Sequence, residues 1–516
     1  MSNQRPDILL LVLDTQRADR LSCYGYNQPT SPHIDAIAAE GSCFDQAVAA
    51  AQWTVPSHAS MFTGLYPSEH GMLQSYSVVA EQDTTLAERL RDGGYFTAGF
   101  CNNPLVGVIN NGMRRGFTSF LNYSGLLTSR PNQAGSSPGL VSRYRQWFKR
   151  QLAGVLNRIQ DAFARSDALL ALSFTPIMVP LWQTALSFKG NTAKSLDDTA
   201  RLFIQRTGVE ADQPIFAFVN LMGTHMPYHP PRSYIEKFAP HVLADREARN
   251  FLQQFNSDVY GWLAPLTGAL DDDQKRTLDG MYDAEVAHQD ALLGEFFERL
   301  RRSGRLDNTL VIICADHGEH LGEKQFMGHS LSIYNELIRV PLIIRDPQHK
   351  FPADKTIDGV VSTRRIFHTV LDAAGLATAE EAALSLSHAV EPASERDYVF
   401  SEAVPPQNVV NLMQKRQPQL VQERRCDRIR RAVWMGNHKL IETAGEVELY
   451  DVLEDPTEDL NLSAIFPENV EVLQDCLQAF SQRSTGDAPT PTMNRATNFE
   501  DPEVRRRLEE LGYLED

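Results

Sequence analysis

The sequence predicts an α/β protein with a mainly parallel central sheet flanked by helices, and with a smaller C-terminal α+β subdomain. Three observations support this fold class. Several continuous apolar runs have the length of buried strands, helix-like stretches lie between them, and short alternating patterns replace them after about residue 390. Strands that alternate with helices are typical of a parallel sheet covered by helices on its faces.

Four apolar runs are predicted to be buried strands, because a strand that is covered on both faces is apolar throughout. They are Ile8–Leu13, Pro214–Leu221, Thr309–Ala315 and Val340–Ile344. The first three end at polar residues, namely Asp14, Gly223-Thr224-His225, and Asp316 with His317. Ligands bind beyond the carboxyl ends of parallel strands, so these residues predict the place of a functional site.

Helices are predicted at Pro32–Glu40, Thr85–Asp92 and Asp283–Arg302. Towards the C-terminus, the patterns indicate short antiparallel strands within Ala432–Glu442 and Glu446–Asp451, a helix over Pro467–Gln482, and a short charged helix over Pro502–Tyr513. A chain of 516 residues is too long for one compact core. We therefore expect a large domain over residues 1–390 and a C-terminal subdomain over residues 391–516.

A segment of about residues 124–195 interrupts the alternation of strands and helices. Ser142–Arg165 is basic with a helical pattern, and Ala168–Phe188 is apolar but broken by Pro176 and Pro180. We expect an inserted helical cap or a contact in a homo-oligomer. Contact with a membrane surface or a lipid-like substrate through residues 142–188 is the alternative, because a basic amphipathic helix can lie on a bilayer.

The composition restricts location and partners. The formal net charge of −17 argues against nucleic acid as a partner, because a phosphate backbone needs a basic surface. Six scattered cysteines without a paired spacing predict free thiols in a reducing compartment. The N-terminus lacks the pattern of a signal peptide, and no run is long enough to span a membrane. These features favour a cytoplasmic location. The net charge does not exclude a small anionic substrate, because such a substrate responds to the local field of a site.

Three residues at strand ends are candidate metal ligands: Asp14, Asp316 and His317. A carboxylate in this position is also a common helix cap or hydrogen-bond acceptor, and that alternative stays open. Thr54 precedes a proline turn that leads into a predicted helix. The free N–H groups at a helix N-terminus favour developing negative charge, which suits a nucleophilic hydroxyl. An N-cap role for Thr54 or Ser57 is the structural alternative.

Four segments of the sequence occur in an order that is typical of a known protein family. They are DTQRADRLSCYGYNQPTSPHIDAIAAEG, TVPSHASMFTG, ADHGEHLGEKQFMGH followed by IRVPLIIR, and VELYDVLEDPTEDLNL. Together they resemble the sulfatase family of the alkaline phosphatase superfamily, from residue 14 to about residue 462. The resemblance implies an alkaline-phosphatase-like sheet in a sulfatase-like catalytic domain over residues 1–390, and it does not cover about residues 124–195.

The nucleophile position departs from the sulfatase pattern. Sulfatases carry Cys or Ser in the motif C/S-x-P-S-R and oxidise that residue to formylglycine. This chain has Thr54 at the position, and His58 replaces the arginine. Threonine cannot become the formylglycine aldehyde, so the resemblance implies attack by the Thr54 hydroxyl on phosphorus. Threonine here resembles the nucleotide pyrophosphatase/phosphodiesterase and phosphoglycerol transferase branches of the superfamily.

The implied metal site also departs from the family. Sulfatases offer Asp-Asp and Asp-Asn pairs, whereas this chain has Asp14-Thr15 and Asp316-His317. We expect one divalent cation held by Asp14, Thr54, Asp316 and His317. The imidazole favours Mn²⁺, with Zn²⁺ or Ca²⁺ as alternatives. A second cation would need a further set of ligands, for which His225, His329 and the segment Asp283–Asp290 give no matching spacing.

The resemblance assigns roles to three histidines. His225 matches a histidine near the transferred group, and His329 matches the position of a lysine or histidine at the leaving-group oxygen. Either can donate a proton to a departing alkoxide. His58 would orient Thr54 or contact an oxygen of the transferred group. Weaker candidates for the pocket are Asn102 and Asn103, and three matching positions are expected to be structural, namely Asp35, Asp290 and Glu402.

These features predict a metal-dependent hydrolase of phosphodiesters or phosphonate monoesters that forms a phosphothreonine intermediate. Three alternatives remain at this point. They are a transferase that moves a phosphoryl-linked head group, a sulfatase that acts without formylglycine, and a sulfatase-like binding protein without catalytic activity.

Overall fold

The computed structural model describes residues 5–107, 109–124, 132–133, 189–257, 265–390 and 398–486. The predicted helices over Ser142–Arg165 and Pro502–Tyr513, and the apolar segment Ala168–Phe188, lie outside these ranges. The predicted lipid contact through residues 142–188 lies outside them too. Within the described ranges, no helix has the length and apolar character needed to cross a membrane.

A central sheet of nine strands forms the large α/β part, in the order β11-β2-β10-β7-β1-β6-β3-β4-β5. The strands in chain order are β1 Asp7–Leu13, β2 Ser42–Val48, β3 Phe96–Cys101, β4 Ser119–Asn122, β5 Asn132–Gln133, β6 Ile215–Leu221, β7 Thr309–Cys314, β10 Leu342–Arg345 and β11 Lys355–Ser362. A short two-stranded sheet, β8 His320–Leu321 and β9 Met327–Gly328, lies between β7 and β10 in the chain.

The predicted strands are present, but one runs in the opposite direction. β1 pairs in parallel with β6 on one side and with β7 on the other. The run predicted at Val340–Ile344 forms β10 at Leu342–Arg345, which is antiparallel to both β7 and β2. The run is a buried strand as predicted, but its apolar pattern carries no information on strand direction. The sheet as a whole is mainly parallel.

Helices cover both faces of the sheet. In chain order they are α1 Pro32–Ala39, α2 Thr54–Thr63, α3 Pro67–His70, α4 Leu86–Asp92, α5 Pro104–Gly107, α6 Thr192–Gln205, α7 Arg232–Phe238, α8 Pro240–Ala244, α9 Arg246–Ser257, α10 Asp272–Arg302, α11 Asn335–Ile338, α12 Arg365–Ala373, α13 Ala379–Ala383, α14 Gln407–Arg416, α15 Pro418–Glu423 and α16 Pro467–Gly486. The helix predicted at Asp283–Arg302 begins earlier, at Asp272, where Asp271 caps its N-terminus.

Two apolar cores lie on opposite faces of the sheet, because successive side chains of a strand point to opposite sides. Ile8, Leu10 and Val12 of β1 pack into a core with α2, α4 and α12. Leu9, Leu11 and Leu13 pack into a second core with α1, α6 and α10. β1 is thus fully buried, which fixes the position of the residue that follows it.

A separate antiparallel sheet of four strands forms the C-terminal part, in the order β12-β13-β14-β15. Its strands are β12 Val399–Ala403, β13 Arg430–Met435, β14 His438–Thr443 and β15 Glu446–Asp451. The predicted pattern at Ala432–Glu442 therefore corresponds to two strands joined by a tight turn, and the predicted helix at Pro467–Gln482 extends to Gly486. α16 packs on β13 and β14, where Leu473 and Leu477 complete a small apolar core.

Candidate active site and metal centre

The ends of two neighbouring strands bring the predicted ligands together. Asp14 follows β1, and Asp316 with His317 follows β7, its parallel neighbour. The ligand atoms of these three residues lie within 4.8 Å of one another. His317 Nε2 is 3.3 Å from Asp316 Oδ2 and 3.8 Å from Asp14 Oδ1. Among the described residues, this is the group of acidic, histidine and cysteine side chains with the spacing of a metal site.

The polar atoms of this cluster fit a cation. All three side chains are fully buried. Within the described part of the chain, neither Asp14 Oδ1 nor Asp316 Oδ2 has a hydrogen-bond partner. Buried carboxylate oxygens without partners are costly, and a bound cation removes that cost. The two unpartnered oxygens are also the ones that face His317 Nε2, so the donor set converges on one point.

The protonation states reflect the same burial. Desolvation, together with the charge of Asp316, raises the pKa of Asp14 to about 7. Desolvation also raises the pKa of Asp316 to about 8, although backbone N–H groups act against this shift. Burial lowers the pKa of His317, which keeps its imidazole neutral. A neutral imidazole is the form that ligates a metal, while a cation must displace protons from the two carboxylic acids.

Thr54 lies beside this cluster as the first residue of α2. Its Oγ1 is 3.4 Å from His317 Nε2 and 3.5 Å from Asn103 Nδ2. Trp53 occupies the N-cap position, so the alternative that Thr54 or Ser57 is the N-cap was wrong. Ser57 instead donates a hydrogen bond from Oγ to the carbonyl oxygen of Asp316 at 2.6 Å. This bond ties the first turn of α2 to the residue that follows β7.

Two amides hold the outer oxygen of Asp14. Asn103 donates to Asp14 Oδ2 at 2.7 Å, and Asn220 donates to the same atom at 3.4 Å. Asn220 Oδ1 in turn accepts the backbone N–H of Asn103 at 3.1 Å. With Oδ2 engaged in this way, Oδ1 is left for the metal site. Asn103 thus lies in the site, whereas the side chain of Asn102 contacts Thr192.

His58 packs behind the nucleophile position. Its Nδ1 lies 2.9 Å from the carbonyl oxygen of Thr54 and 3.3 Å from Asp316 Oδ2. The ring is edge-on to Phe62 and Phe218, and burial lowers its pKa to about 3. A neutral ring that contacts both the Thr54 backbone and Asp316 matches the orienting role better than contact with the transferred group.

His225 and His329 lie together on the other side of His317. The ring centroid of His329 is 4.6 Å from that of His317 and 4.9 Å from that of His225. His329 Nδ1 is 2.8 Å from Glu319 Oε1, and His225 Nδ1 is 2.5 Å from the carbonyl oxygen of Met226. Burial lowers the pKa of His225 to about 3 and that of His329 well below its usual range.

The turn after β1 is strained. Thr15 adopts a left-handed conformation with a φ of 60°, which is unusual for a β-branched residue. Its carbonyl oxygen accepts a hydrogen bond from the Tyr282 hydroxyl at 2.6 Å, and its Oγ1 lies 3.4 Å from that of Thr224. Strained backbone of this kind clusters at functional sites. The turn places Asp14 at the centre of the site.

The three positions expected to be structural do make structural contacts. Asp290 accepts the backbone N–H groups of His33 and Ile34 at the start of α1. Asp35 accepts the backbone N–H of Cys23, and Glu402 accepts that of Ser68. Asp283, a candidate for a second cation, instead pairs with Arg20 and Tyr26.

The sequence matches the sulfatase family over residues 6–376, which is more than half of the chain. The chain belongs to the sulfatase family. Family members bind a divalent metal ion, and the Asp/His cluster is a possible site for it. The family and its structural neighbours identify the protein as a hydrolase that acts on ester bonds.

Individual relatives are distant. An arylsulfatase of Clostridium perfringens is 24% identical over 413 residues, which cover 77% of this chain and 81% of that protein. The phosphonate monoester hydrolase of Agrobacterium radiobacter has a similar fold, with a TM-score of 0.61, 23% identity, and coverage of 93% and 96% of the two chains. A phosphonate monoester hydrolase from Silicibacter pomeroyi gives a TM-score of 0.63 at 18% identity, with coverage of 94% and 96%.

Proposed function

We propose that this protein hydrolyses phosphodiesters or phosphonate monoesters through a covalent intermediate on Thr54. The observation that carries the proposal is the position of the Thr54 hydroxyl at the N-terminus of α2, within 3.4 Å of His317 Nε2. Threonine cannot supply the formylglycine of a sulfatase, but its alkoxide can attack phosphorus. The fold similarity to two phosphonate monoester hydrolases supports this choice of substrate class.

The residues that would hold a divalent cation are Asp14, Thr54, Asp316 and His317. When bound, the cation supplies positive charge that favours an alkoxide and neutralises the transferred group. The imidazole in this donor set favours Mn²⁺, with Zn²⁺ next and Ca²⁺ last.

The chain's own groups account for the remaining steps. The Thr54 hydroxyl loses its proton to water as its oxygen attacks phosphorus in line, and the bond from phosphorus to the leaving alcohol oxygen breaks. His329 or His225 gives a proton to that oxygen, so the product leaves as an alcohol. Water then attacks the phosphothreonine, the bond between phosphorus and the Thr54 oxygen breaks, and the threonine hydroxyl recovers a proton. Asn103 Nδ2, 3.5 Å from Thr54 Oγ1, is placed to donate to the developing charge.

The first test compares four substrates and three metals. Chelated protein receives Mn²⁺, Zn²⁺ or Ca²⁺, and initial rates are measured on 4-nitrophenyl sulfate, 4-nitrophenyl phosphate, bis(4-nitrophenyl) phosphate and 4-nitrophenyl phenylphosphonate. We expect the diester and the phosphonate monoester to be hydrolysed fastest, with Mn²⁺ the best metal. A clear preference for the sulfate ester would overturn the proposal, and a product formed only with an added acceptor alcohol would indicate a transferase.

The second test removes the nucleophile. Thr54→Ala should lower kcat by at least about 1000-fold, because the covalent route is lost while the metal ligands remain. Thr54→Ser should keep much of the activity, and mass spectrometry of acid-quenched wild-type protein should find phosphate on Thr54. Thr63→Ala, a change from Thr to Ala at the far end of the same helix, is the control and should stay active. Full activity of Thr54→Ala would end the nucleophile proposal.

A further inference from the structure

A short hairpin places a carboxylate opposite one of the histidines of the site. In the two-stranded sheet, His320 pairs with Gly328, so Glu319 and His329 are the next residues at its open end. Glu319 Oε1 lies 2.8 Å from His329 Nδ1. Both side chains are almost completely excluded from solvent. This contact is therefore a specific buried hydrogen bond between two polar side chains.

The backbone of Glu319 is held on both sides. Its N–H donates to the carbonyl oxygen of Glu336 at 3.1 Å, and its own carbonyl oxygen accepts from Arg17 Nη1 at 3.1 Å. Arg17 is itself buried and paired with Glu323 at 2.9 Å. The carboxylate is thus fixed before any substrate arrives, as a group that positions another side chain must be.

The hydrogen bond also decides which nitrogen of His329 is available. With Nδ1 engaged by Glu319, Nε2 is the ring nitrogen that remains to meet a substrate. The ring stacks on His317 at an interplanar angle of 30° and lies next to His225. A histidine whose ring is fixed through one nitrogen presents the other in a defined direction.

We propose that Glu319 is a positioning residue that orients His329 so that its Nε2 meets the leaving-group oxygen of the substrate. This inference rests on the proposed function, because it assigns His329 rather than His225 to the departing alcohol. Glu319 does not contact the reacting atoms and acts through the ring of His329. Before this step the Glu319–His329 pair holds two protons, one between Glu319 Oε1 and His329 Nδ1 and one on Nε2. The Nε2 proton passes to the alcohol oxygen as the bond from phosphorus to that oxygen breaks, and water later returns a proton to Nε2.

The test uses aryl methyl phosphodiesters that differ only in the leaving group, from 4-nitrophenol to phenol. Help from a proton donor matters little for a good leaving group and greatly for a poor one. We expect Glu319→Ala to lower kcat/KM about threefold for the 4-nitrophenyl ester and about 100-fold for the phenyl ester. Glu319→Gln keeps a hydrogen-bonding group and should recover at least about tenfold of the loss on the phenyl ester.

A double-mutant cycle separates positioning from a general effect on the fold. In a His329→Ala background, Glu319→Ala should cause no further loss. Glu298→Gln is the control, since Glu298 pairs with Arg302 on the exposed surface of α10, and it should change all esters by one common factor. Equal losses for all leaving groups in Glu319→Ala, or additive losses in the double variant, would overturn the inference.

The test of Glu319 can be interpreted independently of the nucleophile proposal for two reasons. The leaving-group series reports on the bond from phosphorus to the alcohol, whichever group attacks, so it can be read even if Thr54→Ala is active. If the wild-type protein hydrolyses none of these esters, crystal structures of the Glu319 variants decide the matter. The His329 ring should turn in Glu319→Ala and keep its place in Glu319→Gln, and an unchanged ring in Glu319→Ala would contradict the inference.

Discussion

Two buried carboxylates, Asp14 and Asp316, face one neutral imidazole at the centre of the site. Each has a pKa raised by burial, to about 7 and about 8, whereas an unfolded chain would have both near 3.8. The folded protein without metal therefore binds protons that the unfolded chain has already released. This difference makes stability depend on pH and couples it to metal binding.

We predict that Asp14 and Asp316 lose their contribution to the stability of the metal-free protein as the pH rises from about 6.5 to about 8.5. A raised pKa in the folded state means that folding favours the protonated carboxyl groups, and this contribution is lost as they ionise. The buried histidines act in the opposite direction, because their pKa is lowered and the unfolded chain binds their protons more readily near pH 6.5. The contribution is therefore measured as the difference between the wild type and a variant without the two carboxyl groups, and by urea denaturation in chelator it should fall by about 3 kcal/mol over this range.

Adding Mn²⁺ should reverse the sign of this dependence. The cation needs ionised carboxylates, so its stabilising effect should grow over the same pH range. Asp14→Asn combined with Asp316→Asn is the control, and it should lack both the carboxylate contribution and the response to Mn²⁺. A wild-type pH profile that runs parallel to that of the double variant would contradict this assignment of pKa values.

The ligands could be predicted from the sequence because each stands where an apolar strand stops. Two other residues of the site could not. Asn220 lies inside the apolar run of β6, and nothing in the sequence tells which neighbour its amide meets. Glu319 reaches His329 across the β8–β9 hairpin, and no pattern of apolar residues marks two-residue strands. Their contacts depend on tertiary geometry, which local patterns do not contain.

Helix α2 carries Thr54 at its start and is buried along its whole length. It ends at Gly64, which has a φ of 74°. A Cβ at Gly64 would lie 2.8 Å from Phe367 Cδ1 and 2.9 Å from His368 Nε2, both on α12. Gly64 therefore serves the backbone turn and the close packing of α12 at once, and this contact fixes the end of the helix that presents the nucleophile.

We predict that Gly64→Ala destabilises the protein more than Gly71→Ala. Gly71 ends α3 with a φ of 69°, but a Cβ there would meet nothing within 4 Å. Gly71→Ala should cost about 1 kcal/mol, for the left-handed conformation alone. Gly64→Ala should cost about 2 to 4 kcal/mol, because the packing clash adds to it. Urea denaturation measures the free energy of unfolding of both variants. Equal losses would show that α12 shifts to make room for the added Cβ at little cost.

The apolar runs predicted where the buried strands lie but not the direction of every strand. The apolar runs of β1, β6 and β7 predicted buried strands, and the alternation with helices predicted their parallel arrangement. β10 has the same apolar character, yet it returns antiparallel to β7. The chain between β7 and β10 contains the small hairpin and α11 instead of a long crossover helix, and this connection allows the reversed direction.

A buried ion pair of the C-terminal part contacts the segment that leads into α11. Lys439 on β14 lies 2.5 Å from Glu458 and donates to the carbonyl oxygen of Ile333 at 2.8 Å. Glu458 accepts the backbone N–H of Asn335, the first residue of α11, at 2.7 Å. Both charged side chains are fully buried. The C-terminal part thus holds the segment that follows His329.

We predict that Lys439→Met lowers the free energy of unfolding by about 3 to 5 kcal/mol, because it leaves the carboxylate of Glu458 buried without a partner. Adding Glu458→Gln should recover most of the loss, since the amide oxygen can still accept from Asn335. Asp459→Asn is the control, because its pair with Lys324 is exposed and should contribute less than about 1 kcal/mol. Denaturation curves give all three values, and a small loss in Lys439→Met would contradict the prediction.

The chain belongs to the sulfatase family through residues 6–376, but several properties of the whole molecule remain predictions. They are the cytoplasmic location, the homo-oligomer, the lipid contact through residues 142–188, and the division into domains at about residue 390. None of them depends on the geometry of the site. The chemistry of the site depends on residues that the fold places within a few ångströms, and those residues carry the proposal of a phosphorus ester as substrate.

At position 15, the stability of the fold and the catalytic activity favour different residues. A β-branched residue in the left-handed region costs about 1 to 2 kcal/mol, a cost that Gly would avoid and Asn or Asp would reduce. Laboratory evolution under heat would therefore be expected to replace Thr15 early. Selection for turnover acts on the same turn through Asp14, and an Asp at position 15 would add a negative charge beside the metal centre. Variants selected for stability to heat and variants selected for catalytic rate should therefore differ first at residue 15.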